Sequence, residues 1–108
     1  LDEKTIELFV KAAMKTGKVV LGQRASLRAL KSSKLVIVSS SLPSAELIEL
    51  EAACKSADVP LVIYRDSAVK LGAAAGKPFP VTALSVKSAG DADLRRLLAA
   101  EVHAEQKA

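Results

Sequence analysis

The chain has 108 residues, half of them hydrophobic, with 16 basic residues against 12 acidic ones and a formal net charge of +4. That is one domain's worth of chain with a core of its own, which excludes disordered and collagen-like compositions. Its apolar runs are strand-sized and too short to cross a bilayer, no secretory signal pattern is read at its start, and a lone cysteine, Cys54, excludes an internal disulfide and fits a reducing, cytoplasmic compartment.

Asp2 or Thr5 is suited to cap a first predicted helix, in which Ile6, Phe9, Val10 and Ala13 follow helical spacing. Gly17 is expected to end it as a left-handed cap. Residues 18–21 read as a short β-branched strand, Gly22 as a turn, and 23–31 as a second helix with Leu27 and Leu30 inward. Residues 34–39 form the clearest strand, a continuous apolar run of the kind buried on both faces. After a serine loop, Pro43 suits the first turn of a third helix reaching about Ala57 and burying Leu47, Leu50, Cys54 and Ala57. Residues 58–60 break it, and 61–64 read as a third strand. Asp66 or Ser67 caps a fourth helix that stops at Gly76, and 81–86 form a fourth strand. Gly90 and Asp91 turn the chain into a tail where Leu94, Leu97, Leu98 and Val102 line one side of a helix.

The order is therefore αβαβαβαβ plus a tail: an α/β fold with helices covering both faces of a sheet. Residues 1–94 are expected to form a single domain and 95–108 a C-terminal helical tail.

Charge is segregated along this chain. Between residues 8 and 45 there is no acidic residue, while Lys11, Lys15, Lys18, Arg24, Arg28, Lys31 and Lys34 give the window a formal +7. The remaining nine basic residues face all twelve acidic ones, leaving −3. Segregation of this kind marks a face for a polyanionic partner.

Catalytic chemistry is missing. His103 lies in the tail, Cys54 sits on an apolar helical stripe, and no second Cys or His completes a zinc site. The run from Gly72 to Lys77 is one residue short of a phosphate loop, carries Pro78 at the hydroxyl position, and closes a helix instead of opening one. Glu46, Glu49 and Glu51 read as a solvated helix face.

The junction at Gly22 is more informative. A glycine allows close backbone approach, and the free N–H groups of the next helix favour phosphate. Arg24, Arg28 and Lys31 share a face at helical spacing, and Lys18 enters from the strand before. A merely solvated basic face is the alternative reading. Phe79, between two prolines, either stacks on an RNA base or plugs the edge of the core.

The ordered set of residues 17–22, 26–31 and 34–38, Pro43, Glu49 to Glu51, the Leu71-Gly72 to Lys77-Pro78-Phe79 stretch and Gly90 to Leu94 resembles the archaeal and eukaryotic large-subunit ribosomal protein family L30e, within the kink-turn RNA-binding superfamily. The resemblance covers residues 6–94. It implies a three-layer α/β/α sandwich around a four-stranded mixed sheet, no cofactor, no metal and no catalysis. It also implies an RNA surface of three loops at one end of the sheet. On this chain they are Gly22, Gln23 and Arg24 with Ser26 in the following helix; Ser40, Ser41 and Leu42; and Leu71, Gly72, Gly76, Lys77 and Phe79. Lys18, Arg28 and Lys31 add basic contacts, and Phe79 takes the position of the stacking aromatic. Ser41 stands where the family commonly has asparagine. The partners implied are large-subunit rRNA and neighbouring ribosomal proteins, with no membrane and no small-molecule substrate.

A non-ribosomal kink-turn ribonucleoprotein is the alternative, but those relatives carry Asn and Glu where Arg24 and Ala25 stand. A small-molecule-binding or enzymatic domain would need a set of convergent polar groups that the sequence lacks.

Overall fold

The computed structural model describes residues 3–90 together with Ala92, Leu94 and Leu97. Its elements run α1 (Glu3–Thr16), β1 (Lys18–Leu21), α2 (Gln23–Arg28), a 3-10 turn (Leu30–Ser32), β2 (Leu35–Ser39), α3 (Ser44–Ala57), β3 (Leu61–Tyr64), α4 (Ala68–Ala74) and β4 (Ala83–Ser88). The strands form one mixed sheet in the order β1-β4-β2-β3. β4 is antiparallel to both β1 and β2, and β2 is parallel to β3.

Side chains of the central strands alternate between two cores, which is what divides the molecule into layers. Leu35 and Ile37 of β2 with Leu84 and Val86 of β4 meet Ile6, Phe9, Val10 and Ala13 of α1, Leu71 of α4, and Leu97. Val36 and Val38 with Ala83 meet Leu30, Leu50 and Cys54 on the opposite face. The expected α/β/α sandwich is the observed architecture, and the β2 run is buried on both faces as its composition requires.

The elements depart from the sequence reading in detail. Thr5 lies inside α1, already helical at Glu3, and is not its cap. Gly17 has no positive φ. It is small because a Cβ there would collide with the Ser88 carbonyl oxygen, so it serves close packing and not a left-handed cap. The second helix is six residues long and not nine: beyond the Ala29 cap the backbone tightens into the 3-10 turn that carries Lys31. Pro43 is the N-cap of α3, one position before its first turn, and Ala57 is exposed at the far terminus. β4 starts two residues later than expected because the Val81 N–H is drawn away to the Ala68 carbonyl of α4. Of the predicted tail, Leu97 is buried in the first core and Leu94 packs against it, while Leu98, Val102 and the other tail residues lie outside the described residues.

Candidate nucleic-acid interface

Strand directions decide which loops share an end of the sheet. β1, β2 and β3 run the same way and β4 runs against them. The segments after β1, after β2 and after β3 therefore meet the segment that leads into β4. The Gly22 N–H donates to the Ala83 carbonyl at 2.8 Å, the Ser39 N–H to the Thr82 carbonyl at 2.8 Å, and the Ser40 N–H to the Tyr64 carbonyl at 2.9 Å. The three loops implied by the family resemblance thus converge at one end, here the loop end.

Hydroxyl groups lock this end together. Ser39 and Ser40 both donate to the Asp66 carbonyl, at 2.7 and 3.0 Å. The Ser41 Oγ accepts the Ala68 N–H at 3.2 Å, satisfying one of the free donors at the start of α4. Ser67 caps the same helix by accepting the Lys70 N–H. The Ser67 N–H, and then the Lys70 ammonium 3.2 Å away, hold the Asp66 carboxyl below its ordinary range. Leu42 is buried in the second core and anchors the loop from beneath.

The stretch from Leu71 to Phe79 now has a mechanical explanation. Leu71 is a core residue. The Gly76 N–H donates to the Ala73 carbonyl and the Lys77 N–H to the Gly72 carbonyl, with Gly76 at φ +75°, which is a Schellman cap. Gly72 lets the Phe79 carbonyl lie directly on α4, where any Cβ would collide with it. The backbone beneath Phe79 is pinned, while the residue is 49% exposed and belongs to neither core. Of its two sequence readings, this exposure favours the outward-facing ring over the core plug.

Gly22 has φ +104° and open space where a Cβ would stand, so its glycine answers a backbone conformation and leaves room above it. Gln23 and Arg24 follow at the loop end, with Arg24 exposed, and Lys77 is exposed beside Phe79. Ser26, Leu42, Leu71 and Gly72 are buried, so these four support the surface from within and do not face outward. The Ser26 hydroxyl is fully buried without a hydrogen-bond partner.

Lys18 is not where the sequence reading put it. It pairs with Ser88 at the opposite end of β1 from Gly22, because a strand carries its first residue away from its last. Lys31 is also displaced, since the 3-10 turn lies near the start of β2. Arg28 closes α2 between the two ends. An open groove between α2 and α3 is lined by Gln23, Arg24, Leu27 and Arg28 on one wall and by Glu46 and Glu49 on the other. Sequence reasoning missed Arg65, which is exposed directly after β3 at the loop end. Its signal was the parallel pairing of Ser39 with Tyr64, visible only once β2 and β3 are known to be neighbours. Among the described residues no group of His, Cys, Asp and Glu side chains is arranged to hold a metal ion, and burial followed by the Glu51 charge pushes the Cys54 thiol above its ordinary value.

Residues 4–95 match the family model described as the ribosomal protein L7Ae/L30e/S12e/Gadd45 family. The chain belongs to this family. A relative from Methanothrix thermoacetophila named large ribosomal subunit protein eL30 is 40% identical, the match covering 86% of this chain and 88% of the relative. Proteins of the same name from Trypanosoma brucei brucei and Sulfolobus acidocaldarius are 36% and 33% identical, over 83% and 84% of this chain and 88% and 89% of theirs. The family match runs from α1 through β4 and past it, so it takes in every loop of the interface.

Proposed function

We propose that this chain is a structural, non-enzymatic constituent of the large ribosomal subunit that binds rRNA at a kink-turn-like or otherwise distorted helical element. The observation that carries this reading is the convergence of three loops at one sheet end, with a backbone-pinned, half-exposed Phe79 beside Lys77. A flat side chain held outward suits an unstacked base, and distorted RNA supplies such bases where regular A-form RNA does not. Arg24, Arg65 and Lys77 position the domain on phosphates, while Gln23 and the loop backbones approach the RNA through the space above Gly22. In this reading the domain comprises residues 1–94 with the core residue Leu97 and sits on the ribosome in the cytoplasm, against rRNA and neighbouring ribosomal proteins. The three relatives described above carry a large-subunit name, which favours the ribosome over another ribonucleoprotein.

Sedimentation of native particles tests this. The protein is expected to travel with the large subunit and to remain there until high salt strips it. Recovery only at the top of the gradient, at low salt, overturns the ribosomal reading. On a kink-turn RNA hairpin, three or four engaged phosphates give a log K against log salt slope of about −3 to −4. A slope near zero removes the phosphate contacts.

A further inference from the structure

The acid-free window does not fold into one basic face. Its Arg24 goes to the loop end, while Lys15, Lys18, Lys31 and Lys34 go to the other. We infer that this far end is a second RNA-binding surface, where Lys18, Lys34 and Lys87, flanked by Lys15 and Lys31, hold the phosphate backbone of a regular A-form duplex while the loop end engages its own element. The inference rests on the RNA-binding reading proposed above and extends it to a second RNA segment.

Three neighbouring strands assemble the row. Lys18 opens β1 and pairs with Ser88 of β4. The Lys34 N–H, at the start of β2, donates to the Val86 carbonyl of the same strand at 2.7 Å. Lys87 lies between those two anchor points. The β1–β4 register slips between Lys18 and Val19, and the extra β4 residue at the slip is Lys87. Bulges of this kind redirect a side chain at a sheet edge. With strands about 4.8 Å apart, the three backbones span roughly 10 Å, a width that meets several phosphates of one duplex strand. Lys15 is in the last turn of α1, which reaches β1 through Gly17 packed on the Ser88 carbonyl, and Lys31 is in the 3-10 turn just before Lys34.

Lys15, Lys18, Lys31 and Lys34 are exposed and Lys87 is half-buried. Among the described residues none of the five has a carboxylate within 4 Å; the ion pair found is Lys70 with Asp66, at the loop end. Asp58, the acidic residue at this end among those described, sits beside β3 on the other side of β2. The exposed large apolar residues Ile63, Val69 and Phe79 are at the loop end, Ile48 is in the first half of α3 and Leu8 in the middle of α1. A protein partner would want aromatic and apolar anchors and few lysines. Ammonium point charges on flexible stems suit a phosphate backbone read by charge alone. The length of β2, about 15 Å, separates the row from the loops, so both ends cannot serve the same few nucleotides.

The test uses the full chain, a short kink-turn hairpin and a fully paired RNA duplex without bulges, the duplex carrying the fluorophore. Protein saturated with hairpin is expected to bind the duplex with a salt slope of about −2 to −3. The triple variant Lys18→Gln, Lys34→Gln, Lys87→Gln should weaken duplex binding by about tenfold or more and leave hairpin affinity unchanged. Arginine at the same three positions should restore it. Arg24→Gln with Phe79→Ala should do the opposite, losing the hairpin and keeping the duplex. Unchanged duplex binding by the triple variant, or complete displacement of the duplex by hairpin, overturns the second surface. If the hairpin fails to bind at all, the distorted-element reading falls, and the duplex measured on free protein still decides the lysine row.

Discussion

Phe79 depends on Gly72 more than on any contact of its own ring. The glycine admits the Phe79 carbonyl against α4, and the residue is left 49% exposed. Phe79→Ala should therefore cost about 1–3 kcal/mol of RNA binding with little change in thermal stability, measured by hairpin titration and a melting curve. Equal loss in both would mean that the ring is a structural plug. Ser26 gives the reverse expectation. Its buried hydroxyl has no partner in a helix where alanine is favoured, so Ser26→Ala should stabilise the fold by about 1 kcal/mol and leave RNA affinity alone. On the groove wall, Glu46 and Glu49 face Arg24 and Arg28 without forming a close ion pair, and they oppose any phosphate that the arginines attract. Replacing both with glutamine should tighten hairpin binding severalfold at low salt, and the gain should fade as salt rises.

Among the elements, helix termini explain both what sequence makes legible and what it conceals. The cores of α1 and β2 follow from apolar spacing, and residues at those positions are buried as expected. The length of α2 does not follow, because nothing in Ala29 and Leu30 announces a tightening into 3-10 geometry. Likewise, Gly17 and Gly76 look alike in sequence but do different things: one accommodates a neighbouring carbonyl and the other a left-handed backbone. Asp58 repeats the geometry of Gly76 without being glycine, at φ 58° with the Val59 N–H donating to the Cys54 carbonyl. Asp58→Gly should relieve the left-handed cost and stabilise the fold by about 0.5–1 kcal/mol in denaturant titration. The Asp66 link at the head of α4 adds a pH dependence. Its carboxyl is held low in the folded state, so its contribution is complete above the unfolded value near 3.9 and fades as pH falls through the lowered folded value. Asp66→Asn should remove that acid-side loss, read as a flatter melting temperature against pH on the acid side.

The whole molecule sorts the charge of one sequence segment to opposite ends of a sheet, a separation that linear spacing cannot reveal. Knowing that residues 8–45 are acid-free identifies a cationic segment; knowing that Lys18 opens β1 and Gly22 follows its last residue divides it. Hydrogen exchange on the full chain makes the division measurable. In the free protein, amides of β2 and β4, paired on both sides in the middle of the sheet, should exchange most slowly. Adding the kink-turn hairpin should slow exchange at residues 22–24 and 39–42 and at Gly76, Lys77 and Phe79, because RNA binding restrains the loop end, while the turn at Leu30–Ser32 keeps its free rate. Protection spread evenly over both ends by the hairpin alone would mean that a single RNA wraps the domain. Protection confined to the turn at Leu30–Ser32 would move the primary site away from Phe79. The hairpin therefore has to find an end whose shape is set by serine hydroxyls and two glycines, with most of the segment's charge at the opposite end of the sheet.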